Sequence, residues 1–353
     1  MGGAQMCFLD LLPAFAAKRW RVYAAVPEGP FSERLSLGGV TVSPISSGRF
    51  RSGAKSPRDL FRFATDLRSQ CGGLEEIIAR YRIDTLYVNG PRVLLSACLA
   101  GKTMPLVFHA HNHVGGKLEQ FLLRRCVRSA RGAVFACSSS VAQDYHALPD
   151  SRTVRVIPNG VLDQGFRDRS FDLREGVSVG IIGQISPNKG QMDFVEAAAF
   201  LSSRFPGVQF TICGTPGPRN ESYAARVRDL SRNLPIRFLG WQDDVRHVLS
   251  QLDLLVIPSA SEGMPRVMLE SFSAGVPVIA YPVGGIPEAI RDGETGFLVD
   301  PRSAQGLAAR VESLLAGPAE KLRCVARAAR LAWEKVYHVD IYRTSIMDAL
   351  SEI

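Results

Sequence analysis

Short apolar runs separated by polar, turn-forming stretches recur along the whole chain. Runs at 21–26, 40–45, 84–89, 106–109, 132–137 and 154–157 lie in the first half, and runs at 178–182, 208–213, 236–239, 254–257 and 276–280 in the second. Their length and continuous apolar character suit strands covered on both faces, as in a parallel sheet. Helical patterns fall between them. One begins near the N-terminus with Met6, Leu9, Leu12 and Phe15 apolar; others cover 59–82 (with Gly72-Gly73 as a point of division), 117–131, 191–204, 304–315, 319–336 and 340–350. Strand-helix alternation predicts α/β architecture. A chain of 353 residues suits two domains, and the polar, turn-rich stretch 162–176 reads as the linker between them. A second loop, rich in Gly, Ser and Arg, spans 46–57.

The densest chemistry lies in 254–301, LLVIPSASEGMPRVMLESFSAGVPVIAYPVGGIPEAIRDGETGFLVDP. This reads as strand, loop, helix, strand. Ligands of open parallel sheets bind beyond the carboxyl ends of the strands, and a helix N-terminus there offers unpaired N–H groups and partial positive charge to a phosphate. Gly263 permits close backbone approach, and Pro265 presets a first helical turn. Glu262 and Glu270 stand eight residues apart and would face the same way if both were helical. Carboxylates suit sugar hydroxyls better than phosphate, so the segment is expected to hold a sugar-nucleotide: amides on the phosphates, one Glu on the ribose, one on the transferred sugar.

Glu262-x7-Glu270, then Gly275-Val276-Pro277-Val278-Ile279 and Gly284-Gly285-Ile286-Pro287-Glu288, resembles the retaining GT-B glycosyltransferases of family 4, the glycosyl transferases group 1. The resemblance runs from Gly2 to the C-terminus and is stronger in the second half. It implies two Rossmann-like domains facing across a cleft: 1–160 for the acceptor, 161–336 for the nucleotide sugar, and 337–353 as a helix returning to the first domain. It also implies that Gly2-Gly3-Ala4 follows a first strand lying in mid-sheet. That strand is absent here, so the start is expected to be clipped, with a crippled first half as the alternative. Donor contacts are implied for Gly3, Gly183, Gln184, Lys189, Gly214, Trp241, Gly263, Met264, Pro265, Arg266, Val267 and Glu270. Catalytic roles are implied for Lys189, Glu262 and a histidine at a strand end. His109 follows its strand most directly, and His111 is the rival.

Each assignment has a plainer counterpart. His109-Ala110-His111-Asn112-His113 would suggest zinc, but no neighbouring Cys, Asp or Glu completes a site, so no metal is expected. Lys189 can reach donor phosphates as a point charge or stand as an exposed helix-start lysine. Gln184 takes a position where the family usually has Arg, and brings a donor without charge. Trp241 either stacks on the base or packs.

Composition excludes several classes. Hydrophobic residues make up 46% and charged residues 22%, as in an ordinary globular protein, and no apolar run reaches the ~20 residues of a membrane helix. The seven cysteines are odd in number, with no C-x-x-C pair, which fits a reducing cytoplasm. The N-terminus lacks the basic start and apolar core of a signal peptide. Neither a G-x4-G-K-[ST] loop nor a G-x-G-x-x-G fingerprint occurs. The metal-binding D-x-D of GT-A enzymes is also absent, so neither metal nor cofactor is expected. The net charge of +8 is uneven: residues 1–155 hold 21 Lys and Arg against 11 Asp and Glu, leaving 21 against 23 for the rest. Basic residues Arg49, Arg51, Lys55, Arg58 and Arg62, with Arg124, Arg125, Arg128 and Arg131 opposite Leu118, Phe121, Leu122, Cys126 and Val127, fit either solvated faces or contact with an anionic membrane or acceptor. Nucleic acid is disfavoured, since no aromatic-interleaved basic motif is present. The expected function is transfer from a UDP- or GDP-sugar to a saccharide or lipid-linked saccharide, in the cytoplasm or peripheral on the membrane's inner face. The alternatives are a catalytically silent sugar-nucleotide binder and a GT-B-fold epimerase.

Overall fold

The computed structural model describes residues 1–46, 57–102, 104–114, 117–129, 132–145, 154–169, 171 and 176–353. Arg49, Arg51, Lys55 and Arg131 fall outside these residues, as do the side chains of Arg58, Arg62, Leu118, Leu122 and Arg128. The chain forms two compact units, one of residues 1–159 and 340–353, the other of 160–339. Both are α/β with parallel strands throughout.

In the first unit, β1 (Tyr23–Val26) pairs with β2 (Thr41–Pro44). A separate sheet runs β3 (Leu86–Asn89), β4 (Leu106–Ala110), β5 (Ala133–Ala136) and β6 (Val154–Val156), in that order. Among the described residues no strand joins the two sheets. The N-terminal pattern forms two helices, Gly3–Leu9 and Leu12–Ala17, rather than one, because Pro13 sits in the first turn of the second and starts a new helix. The buried stripe is accordingly Cys7, Leu11 and Phe15, at four-residue spacing, while Met6, Leu9 and Leu12 are only half-buried. Phe8 packs against Phe31 beside β1–β2 and against Tyr87 of β3. The helix Val339–Ser351 packs Tyr342, Ile346 and Met347 into the same core as Cys7, Val107 and Phe135. Full burial of each such side chain contributes about 1.5–3 kcal/mol.

Gly72-Gly73 do not divide the helix Pro57–Tyr81, which is continuous. Among the described side chains of the Lys117–Ser129 helix the buried ones are Leu123, Cys126 and Val127, on one 3.6-residue face. Phe121, expected among the apolar positions, lies nearly opposite Leu123 on the helical wheel and is 60% exposed. No helix among the described residues is long and apolar enough to cross a membrane.

Among the described residues the second unit has one six-stranded sheet. In chain order its strands are β7 (Val177–Ile182), β8 (Val208–Cys213), β9 (Ile236–Gly240), β10 (Leu254–Ile257), β11 (Val278–Ala280) and β12 (Phe297–Leu298). The sheet order is β12-β11-β10-β7-β8-β9, so the chain winds one way from β7 and then the other, as in a doubly wound Rossmann-like fold. The reversal point lies at the carboxyl ends of β7 and β10, which are neighbours in the sheet. β12 escapes the hydrophobic pattern because it is two residues long.

Candidate functional site

At the reversal point, β7 ends in Gly183-Gln184, a loop runs through Pro187–Lys189, and the helix Gln191–Ser202 follows. Beside it, β10 ends in Pro258, and Ser259–Met264 lead to the helix Arg266–Ala274. Pro265 stands just before that helix in extended conformation, so Glu262 belongs to the loop. Glu262 and Glu270 therefore share no helical face.

The Lys189 Nζ donates to Glu262 Oε1 at 2.6 Å. Glu262 is only 6% exposed, while the lysine side chain is 30% open. Both line a small cavity with Ser259, Ile182, Ile257 and Val267. Ser259 is buried and its Oγ has no hydrogen-bond partner. Sequence reasoning missed it; the signal, one of two serines in the short loop after an apolar strand, is weak. The two loops are tied together, since Ala260 N donates to the Asn188 carbonyl and Asn188 Nδ2 to the Ser261 carbonyl.

Two glycines make this packing possible. Gly284 has φ +55°, and a Cβ there would lie 1.6 Å from the Glu262 carbonyl oxygen. Its neighbour Gly285 N donates to the Gly263 carbonyl at 2.8 Å, so the turn at Gly284-Gly285 buttresses the Glu262 loop. Gly214, at the end of β8, has φ +138°, and a Cβ would lie 2.0 Å from the Gly183 carbonyl.

The other expected residues fall at varying distance from this centre. Met264 and Pro265 are buried. Arg266 Nη2 lies 3.4 Å from Glu270 Oε1, and Arg266 Nη1 donates to the Gly160 carbonyl. Gln184 is exposed, with its carbonyl accepting from Gln191 Nε2. Trp241, just past β9, is 48% exposed and donates Nε1–H to Asp243.

Gly3, His109 and His111 belong to the first unit. His109, one residue before the end of β4, is 1% exposed, with Nδ1 2.5 Å from the Tyr87 hydroxyl. Burial, and then the neighbouring His111, hold its imidazole well below the usual range, so it is neutral. His111 Nε2 donates to Asn89 Oδ1, and Asn89 Nδ2 donates to the Ala4 carbonyl, next to Gly3. His113 takes different partners, Asp144 and Ser140. The His109 and His111 rings lie 4.0 Å apart between centroids but take different hydrogen-bond partners, and His113 takes a third set. Arg124, expected on a basic face, donates to the Asp144 carbonyl.

Residues 1–163 match the family described as Glycosyltransferase Family 4, and residues 176–317 match Glycosyl transferases group 1. Among individual proteins, the lipopolysaccharide core biosynthesis glycosyltransferase LpsE of Rhizobium meliloti is 34% identical over 194 residues, 53% of this chain and 55% of that protein. A D-inositol 3-phosphate glycosyltransferase of Acidothermus cellulolyticus is 33% identical over 231 residues, 59% of this chain and 50% of that one. The chain thus spans about half the length of these curated relatives. The crystal structure of Anabaena HepE in complex with UDP-glucose superposes with a TM-score of 0.81 over 100% of this chain and 97% of that one, at 22% identity, which speaks for the fold.

Proposed function

Because the chain belongs to the family 4, group 1 glycosyltransferases, we propose that it moves a sugar from a nucleotide-sugar donor, a UDP- or GDP-sugar, to a hydroxyl of a saccharide or lipid-linked saccharide. The observation that carries this reading is the Lys189–Glu262 pair at the reversal point of the second unit's sheet, beside the mouth of the Arg266–Ala274 helix.

Breaking the anomeric bond leaves negative charge on the departing diphosphate. Preorganised positive charge at that point lowers the barrier. The Lys189 ammonium supplies it, and the amides at the start of the Arg266–Ala274 helix add partial charge and N–H donors. Glu262 holds the ammonium in place and accepts from hydroxyls of the transferred sugar; Glu270 accepts from the ribose. Attack comes on the face the diphosphate leaves, with the diphosphate taking the acceptor's proton, so configuration is retained. A fixed cation of this kind takes over the charge neutralisation that a divalent ion performs elsewhere.

The names of relatives support the pathway and the donor: one acts in lipopolysaccharide core biosynthesis, and Anabaena HepE holds UDP-glucose. The pathway proposed is cell-surface glycan synthesis on the cytoplasmic side, with the positive excess of residues 1–155 facing an anionic acceptor or membrane surface. Gln184, exposed and uncharged, favours a second reading, a sugar-nucleotide binder without turnover. A panel of UDP- and GDP-sugars followed by nucleotide release separates the two: release with one donor supports the enzyme, and tight nucleotide binding without release from any donor refutes it.

A further inference from the structure

The chain passes from one unit to the other after Asn159 and returns after Val339. Inside the second unit these two passages are paired. Val161 N donates to the Tyr337 carbonyl at 3.0 Å, and Val339 N donates to the Val161 carbonyl at 3.1 Å. The helix Arg266–Ala274 grips the outgoing passage at both ends. Near its C-terminus, Ser273 Oγ accepts from Gln164 N at 2.7 Å, and Arg330 bonds both the Ser273 carbonyl and the Asp163 carboxylate. At its N-terminus, Arg266 Nη1 donates to the Gly160 carbonyl at 3.2 Å, while Nη2 faces Glu270 at 3.4 Å. Both side chains of that ion pair are largely buried, at 10% and 14% exposure.

We propose that Arg266 is a positioning residue that couples the nucleotide site to the paired passages. This rests on the reading of Glu270 as the ribose ligand. One planar guanidinium serves two acceptors, the Glu270 carboxylate and the Gly160 carbonyl. Ribose hydroxyls that donate to Glu270 spread its negative charge and weaken its claim on Arg266. The guanidinium then gives more of its field to the Gly160 carbonyl, and the charge-assisted bond there tightens. Occupation of the nucleotide site thereby orders residues 160–161 and, through the Val161 pairings, the return at Val339. The grip at Ser273 takes no part, because none of its groups touches Glu270.

The test is amide hydrogen exchange of the full chain with and without saturating UDP, and then GDP. In the wild type, Val161 and Val339 should exchange several-fold more slowly with nucleotide, while Gln164 should not change. Arg266→Met should abolish that response at saturating nucleotide, since neither the Gly160 carbonyl nor Glu270 then has a guanidinium to share. Arg266→Lys keeps the charge but cannot span both acceptors, so with nucleotide added to saturation it should still lose the exchange response. Unchanged exchange at Val161 and Val339 in the nucleotide-bound wild type, or a full response in either variant, overturns the coupling. Absence of any UDP or GDP binding to the wild type would instead bring down the donor-site reading itself.

Discussion

Lys189→Met separates the structural from the chemical role of the central ion pair. The substitution keeps the length of the side chain and removes the charge. It leaves the Glu262 carboxylate, 7% exposed, without the ammonium 2.6 Å away. Stranding one member of a fully buried pair costs about 3–5 kcal/mol, and an exposed pair is worth about 0–1 kcal/mol. With the lysine side chain 30% open to water, the cost should fall between, at about 2 kcal/mol. For a unit of this size that lowers the melting temperature by about 4–8 °C. Transfer should fall further, by about 10²–10³-fold, since a preorganised donor to the leaving group is gone. Lys189→Met combined with Glu262→Met removes both charges and should recover most of the stability, because an apolar pair replaces the ionic one, but it should recover no turnover. Calorimetry and nucleotide release read the two effects apart. A single variant that melts and turns over like the wild type would refute the reasoning, as would a double variant that regains transfer.

Other expectations follow from neighbouring contacts. Glu270→Gln should weaken UDP or GDP binding about tenfold by calorimetric titration, and unchanged affinity would contradict a ribose contact. Gly284→Ala forces a Cβ against the Glu262 carbonyl at positive φ, so it should cost about 1–3 kcal/mol in urea unfolding and abolish transfer; a silent variant would show that the loop is not fixed as described. His109 stays neutral in the folded chain while its unfolded counterpart takes up a proton below about pH 6.5. The unfolded state then binds more protons, so this contribution to stability is complete above that pH and is lost as the pH falls below it. Urea midpoints should drop between about pH 7 and pH 5 in the wild type, and His109→Gln should flatten that slope; equal slopes would deny that the ring is held neutral.

Much of the second unit is legible in the sequence because its strands are buried on both faces and therefore read as unbroken apolar runs. β10 can be read from 254–257 without any partner in view. The pairing of Lys189 with Glu262 is another matter. They stand 73 residues apart, and only the β7–β10 neighbourhood brings them together. The role of Gly284 is hidden for the same reason: a glycine before a helix reads as a turn, and its close approach to Glu262 is a tertiary fact. In the first unit, Pro13 divides a pattern that periodicity alone joins, and Phe121 shows how a helix with apolar residues on several sides misleads until one face is packed. Ser259 left no mark, since one buried hydroxyl carries no spacing signal.

The central claim is that Lys189 and the helix mouth beside Glu262 grip a sugar-bearing diphosphate without a divalent ion. Nucleotide release from the preferred donor, measured in excess chelator and again with added magnesium or manganese, tests it most directly. Equal rates are expected in both conditions. Release that vanishes with the chelator and returns with the metal would contradict it.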